Sequence, residues 1–301
     1  MSEKGGIAYF ENSGSVLFKG DILNGMRHNK GTEYYENGVL KYFGTYLKDK
    51  KHGEGKLFNM NSVLVYKGEF QDDTRNGFGI VYDQVSGSKI YEGQLSKDKR
   101  NGFGIMYYSN GNKNYEGQWQ DDKFEGNGIV FDNITGKKQK SGNFVNGVIN
   151  GQGKEYDEKG NVKYIGTFEA GIKNGFIAEY KSNFIKSKNK SKLVKAFEGY
   201  FVDGKKIGKG IKYNQDGYKI YEGEFLHEKF NGKGIQYDVI QNDKNGENLT
   251  IEYQENSKNK PVKIIKVYEG FLKDNHREGP GKSYHKNYDN YIEYEGYWSK
   301  N

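Results

Sequence analysis

Rings, glycines and polar residues return along this chain in a fixed frame, with the alternation of a strand rather than the 3.6-residue period of a helix. In Tyr115-Glu116-Gly117-Gln118-Trp119 the ring, the glycine and the tryptophan fall on one face and the polar residues on the other, as in a half-buried β-strand. The polar stretch Gln120 to Glu125 reads as a turn, and Gly126-Asn127-Gly128-Ile129-Val130-Phe131 as a second strand. One unit therefore predicts one β-hairpin. Counted from its first ring as position 0, the unit has Gly at 2, an apolar or aromatic residue at 4, Gly at 11 and 13, and a ring at 16.

The frame starts again near 18, 42, 66, 91, 115, 140, 164, 197, 221 and 268, with a half repeat over 1–17 and another over 294–301. A period of a few tens of residues signals a repeat architecture. Two short strands and two turns are too little for a propeller blade, and no leucine ladder is present. The simplest fold is all-β: consecutive hairpins in one elongated, twisted antiparallel sheet, open at both ends, with about 21 strands at ~4.8 Å spacing. Residues 1–301 then form a single array. The glycines are expected where rings or neighbouring backbones come too close for a Cβ, or where φ must be positive. Three departures bear on local geometry: Asn29 for the Gly at position 11, Ile177 for the Gly at position 13, and Lys140 for a ring.

Two spacings break the period. Tyr164 to Phe197 is 33 residues, and the surplus lies in a lysine-rich insertion over 181–196. Tyr221 to Tyr268 is 47, with a second insertion over 240–266. Leu249–Tyr253 and Val262–Val267 have strand composition, so this insertion reads as an overlong hairpin or as a degenerate repeat.

Composition changes the picture of the core. Only 34% of residues are hydrophobic, yet 26 Tyr, 18 Phe and 2 Trp supply apolar area, so stacked rings replace an aliphatic interior. Cysteine is absent, which excludes disulfides, thiolate metal sites and cysteine nucleophiles. The opening residues form no apolar run and no long apolar stretch follows, so neither a signal peptide nor a membrane-spanning helix is expected, and the protein is expected to be cytoplasmic. The net charge of +7 is concentrated in the lysine-rich insertion, which holds six lysines and no acid. The remainder is nearly neutral, unlike the basic groove a nucleic-acid binder needs.

Candidate chemistry mostly dissolves into the frame. Gly281-Lys282-Ser283 matches the tail of a phosphate loop, but His276 stands where that loop's first Gly belongs. His28 and His52 share position 10 in adjacent repeats and invite a metal site, against the plainer reading of exposed turn positions. Glutamates at position 1, such as Glu92 and Glu116, repeat two strands apart, too far for paired carboxylate catalysis. No catalytic, cofactor or metal residue is assigned, and the protein is not expected to be an enzyme.

The pattern Tyr-Glu-Gly-x-(Phe/Trp/Leu), then Gly-x-Gly and a ring, resembles the MORN (membrane occupation and recognition nexus) repeat over almost the whole chain. The resemblance implies a non-catalytic scaffold of a cytoskeletal assembly, similar to proteins of cilia, the axoneme and radial spoke heads. Its partners are expected to be other proteins of a large assembly, including chains that cover the two half repeats, with no nucleic acid. The position-4 row serves either as stacked core or as an aromatic groove for a partner, through Tyr46, Phe70, Trp119, Phe144, Phe168, Phe201, Phe225 and Trp298. The alternative is a peripheral membrane tether, with Lys186, Lys188, Lys190, Lys192 and Lys195 on anionic headgroups.

Overall fold

The computed structural model describes residues 3–185, 190–241, 262–286, 288 and 290–299. Among these residues the regular structure is entirely strand, 22 strands in antiparallel sheet. The chain divides into two compact units, Met1–Ile149 and Asn150–Asn301. The first contains β1 (Glu3–Tyr9), β2 (Val16–Leu23), β3 (Met26–Tyr34), β4 (Leu40–Leu47), β5 (Lys50–Phe58), β6 (Leu64–Gln71), β7 (Thr74–Tyr82), β8 (Lys89–Ser96), β9 (Lys99–Tyr107), β10 (Lys113–Gln120), β11 (Lys123–Phe131) and β12 (Lys138–Val145). The division falls within β13 (Val148–Tyr156). The second holds β14 (Val162–Glu169), β15 (Ile172–Ile185), β16 (Lys190–Val202), β17 (Lys205–Tyr213), β18 (Lys219–Leu226), β19 (Lys229–Gln241), β20 (Val262–Lys273), β21 (His276–Tyr284) and β22 (Ile292–Trp298). Within each unit, strands pair with their neighbours in sequence, as β10 does with β9 and β11.

The turn inside each repeat is tighter than the polar stretch suggests. Between β10 and β11 only Asp121 and Asp122 remain, at φ 47° and 67°. Two consecutive positive φ values are what a two-residue type I′ hairpin requires, and its twist matches the strands. Positions 8 to 10 belong to the second strand, so His28 in β3 and His52 in β5 are strand residues rather than turn residues. Their polarity misleads because position 9 in most repeats carries a Lys or Arg whose stem lies on the rings while its head stays polar.

Position 11 is a bulge. The register slips between Gly117 and Trp119 against β11, and Gly126 takes φ 60°. Asn29 reaches φ 53° at the same place in the first repeat. Asparagine tolerates the left-handed region, so the substitution leaves the hairpin intact.

The first insertion continues the sheet. β15 and β16 stay paired from Tyr180 opposite Lys195 out to Ile185 opposite Lys190. β19 and β20 continue likewise, from Tyr237 opposite Lys266 to Gln241 opposite Val262. Val262–Lys266 thus pairs with the end of β19, and Leu249–Tyr253 lies outside the described residues.

Candidate functional site

The glycines let a ring lie flat against the sheet. A Cβ on Gly117 would come 2.5 Å from the Cα of Gly128, so the two strands could not close with any larger residue there. Tyr115 covers this pair, fully buried, and its hydroxyl donates to the carbonyl of Gln118 at 2.9 Å. The same bond recurs from Tyr66 to Glu69, Tyr91 to Gln94, Tyr221 to Glu224 and Tyr268 to Phe271. Burial pushes these phenols above their ordinary pKa range. They remain protonated donors to the backbone, without the character of an acid or nucleophile at neutral pH.

Position 4 fills the space between consecutive rings. Tyr115 meets Trp119 edge to face at 5.2 Å and Phe144 of the next repeat at 5.6 Å. Phe18, Tyr46, Tyr42, Phe70 and Tyr66 zigzag in the same manner at 5.1 to 5.3 Å. Such contacts add about 0.5–1.5 kcal/mol each beyond area burial.

A third layer closes over the rings from position 9. Arg100 lies 4.3 Å from the Trp119 ring, and Lys206 4.6 Å from Phe197. Phe124 stacks on Tyr115 at 3.8 Å. The cations are held by the acid in the next repeat's turn: Arg100 N and Nε both donate to Asp122 Oδ1, at 3.0 and 2.8 Å. Arg75 binds Asp98 identically. Covering a ring with a guanidinium strengthens it by cation–π attraction while the head stays wet.

The row read as a possible partner groove is therefore core. Tyr46, Phe70, Trp119, Phe144, Phe168, Phe201 and Phe225 are all buried, at 1 to 4% exposure. Only Trp298, in β22, is half-buried. A single-layer sheet has no second sheet, but the position-9 side chains do its work.

The lysine set is scattered in role. Lys195 is held by Glu198 at 2.7 Å, and Lys192 is exposed. Lys190 is placed by its backbone pairing with Ile185, and Lys186 and Lys188 lie outside the described residues. Among the described residues no group of three or more His, Asp or Glu could hold a metal ion, and this includes His28 and His52.

The opposite, outer face is formed by positions 1, 3, 12 and 14. In five repeats the Glu at position 1 pairs with a Lys three residues before it, as Lys89–Glu92 and Lys113–Glu116 do, both at 2.7 Å. The ring at position 16 joins them: Tyr284 donates to Glu269 at 3.0 Å, and Lys266 lies 5.2 Å from the Tyr284 ring. The hydrogen bond from Lys266, outweighing desolvation, holds Glu269 below the usual carboxylate range. This pairing was legible as covariation within the chain. Lys89, Lys113, Lys195, Lys219 and Lys266 accompany a Glu, whereas Val16, Leu40, Leu64 and Val162 accompany Lys19, Phe43, Lys67 and Ile165; Lys138 before Ser141 and Ile292 before Glu295 are the exceptions.

Two grooves run over this outer face in the second unit. One, of 740 Å³, is lined by Ile235, Glu269, Phe271, Pro280 and Tyr297 among others. The other, of 750 Å³, includes Phe176, Tyr200 and Ile211, and the two share Glu222 and Lys233. Phe176 and Tyr200 meet edge to face at 5.7 Å, yet Tyr200 remains 55% exposed and Tyr297 74%. These rings at positions 3 and 12 escape sequence reasoning because most other repeats carry polar residues there, with Phe78 and Phe103 at position 12 of the first unit as exceptions.

A comparison with curated proteins gave no match. The MORN repeat matches residues 18–39, 42–62, 66–83, 91–113, 115–130, 141–162, 197–217, 221–239 and 268–289. These nine segments follow the frame except at the seventh unit, where Ile177 replaces a core glycine. MORN repeats generally mediate protein or membrane interactions and are generally non-catalytic. With more than half of its residues matched, this chain belongs to the MORN-repeat family.

Proposed function

We propose that the protein is a non-catalytic scaffold that binds partner proteins through the outer face of its sheet. The observation that carries this reading is the division of labour between faces. The ring face is consumed by the core, while the second unit's outer face leaves Tyr200, Phe271 and Tyr297 exposed beside two apolar grooves. Exposed apolar clusters rimmed by charge mark interaction sites. The resemblance to ciliary repeat proteins supports a place in a cytoplasmic, cytoskeletal assembly of the axonemal, radial-spoke-like kind.

The test is a pull-down with the tagged chain from its native source, beside a Tyr200→Ser/Phe271→Ser variant that melts normally. Axonemal or other cytoskeletal components should be retained by the parent and lost by the variant. A partnerless monomer spread evenly through the cytosol sinks the reading. The membrane alternative keeps one supporting feature, the exposed Lys192. Sedimentation with anionic vesicles that is abolished by neutralising the insertion's lysines would replace the scaffold reading.

A further inference from the structure

Within the first unit, the outer face changes character between β2 and β6. The backbone register places Lys19 opposite Thr32, Thr32 opposite Phe43, Phe43 opposite Lys56, and Lys56 opposite Lys67. These five residues form one row across five strands. On the next row, Glu54 stands directly opposite Glu69. Like charges facing each other across a ladder destabilise a sheet.

Elsewhere the same face avoids this arrangement. Lys209 faces Glu224, and Lys282 faces Glu295 with an ion pair at 3.0 Å. The position-1 glutamates of β8, β10, β16, β18 and β20 each have a lysine. Lys19, Lys56 and Lys67 are exposed and make no ion pair among the described residues, and Phe43 between them is 53% exposed. Three cations without an ion-pair partner among the described residues thus frame one exposed ring.

We propose that this row is a docking surface for an acidic segment of a protein partner, with carboxylates over Lys19 and over the Lys56–Lys67 pair and an apolar side chain on Phe43. Charge complementarity selects the occupant. Lys19 and Lys56 lie three strand spacings apart, about 14 Å, a span that an extended peptide covers in about four residues. A flat anionic surface fits poorly, because Asp21, Glu54 and Glu69 occupy the neighbouring positions of the same face and would confront a bilayer or a phosphate backbone together with the lysines. A peptide can set its acids on the lysine row alone. This surface lies in the first unit and is independent of the grooves of the second, so either assignment can fail without the other.

The probe is a fluorescein-labelled peptide with glutamate pairs on either side of a central leucine, compared by anisotropy with its glutamine counterpart on the full chain. The parent should bind the acidic peptide in a salt-sensitive manner and ignore the glutamine form. Lys67→Glu should weaken binding at least about tenfold, as loss of charge complementarity does. The same change puts a carboxylate opposite Lys56, so the melting temperature should hold or rise, which separates lost recognition from lost fold. Phe43→Ser should weaken binding less. The proposal is overturned if the parent does not bind the acidic peptide, if Lys67→Glu binds it equally, or if the glutamine peptide binds as well. It is also overturned if phosphatidylserine vesicles take the same lysines in preference to the peptide.

Discussion

The two faces of this sheet are built from alternate residues of the same strands, yet they obey different rules. On the ring face Tyr115, Trp119 and Phe144 vary little in kind from repeat to repeat, and a position-9 side chain covers them. On the outer face the corresponding positions range from the Lys113–Glu116 pair through the bare Lys56–Lys67 pair to the exposed Tyr297. Repetition marks what the fold needs, and variation on the opposite face marks what each stretch can recognise. The faces should therefore respond to substitution on different scales. The largest effect is expected at the glycine pair. Gly128→Val would press a side chain into the Tyr115 ring and should destabilise by about 3 kcal/mol or more, the upper range for overpacking. Its outer-face neighbour Asn127, exposed at position 12, should accept Thr within about 0.5 kcal/mol. Urea midpoints of the two variants give the comparison directly, and similar shifts would erase the distinction between faces.

A buried charge on the ring face provides the next test. Glu33 is 6% exposed and binds Lys41 at 2.8 Å and Lys51 at 3.4 Å. Burial works to raise its pKa, but the Lys41 hydrogen bond and the charges of Lys51, Lys41 and Arg27 outweigh it and hold the carboxyl below its ordinary value of 4.5. A depressed pKa means the contribution is full above the unfolded value and is lost as pH falls through the folded one. Glu33→Gln should lower stability by about 1.5–3 kcal/mol at neutral pH, as for a hydrogen bond to a charged group. The deficit should shrink below pH 4.5. A deficit that persists unchanged in acid would show that the side chain's packing, and not its charge, is what matters.

How much of this was legible in the sequence follows from the same division. The hairpin and the glycine–ring pairing follow from residues 115 to 131, and the repeat boundaries from the return of that frame along the chain, because steric exclusion leaves so few residue types at positions 0, 2 and 13. The two-residue turn was hidden, since Lys123 and Glu125 look like loop although they lie in β11. The choice between core and groove for Phe70 and Trp119 stayed open for a related reason. Nothing in the alternation shows that Arg75 and Arg100 turn back over the rings, anchored by Asp98 and Asp122 one repeat later. Outer-face recognition was least legible, because it depends on which residues face one another across strands, as Lys56 and Lys67 do.

The seventh repeat tests whether the ring–glycine arrangement is the only solution for the ring face. Ile177 is fully buried where a glycine belongs, while Tyr164 is half-buried with its phenol pushed up to about 12 by desolvation. If ring and aliphatic residue are interchangeable fillers, Ile177→Gly should let Tyr164 settle over Gly166. The loss should then stay under about 2 kcal/mol, below the usual about 2–5 kcal/mol for emptying a core site. Ultraviolet titration should show the Tyr164 phenol moving higher still. A full-sized loss with no change in titration would mean that the repeat is fixed around Ile177.

The smallest effect is expected at the outer-face ion pairs, and its smallness is informative. Lys113 and Glu116 are 42% and 29% exposed at the side chain. Pairs of this kind contribute about 0–1 kcal/mol, less in salt. Lys113→Met should shift the urea midpoint by about 0.5 kcal/mol or less, and added salt should remove most of that difference. Five such pairs recur in register, so their regularity needs a reason other than stability. Local neutrality supplies one: with each Glu answered by a Lys, those stretches attract neither acidic nor basic partners, and the unanswered lysines of β2, β5 and β6 stand out against them. Lys113→Met, which leaves Glu116 bare, should thus alter the salt dependence of binding to basic peptides while leaving the melt almost unchanged.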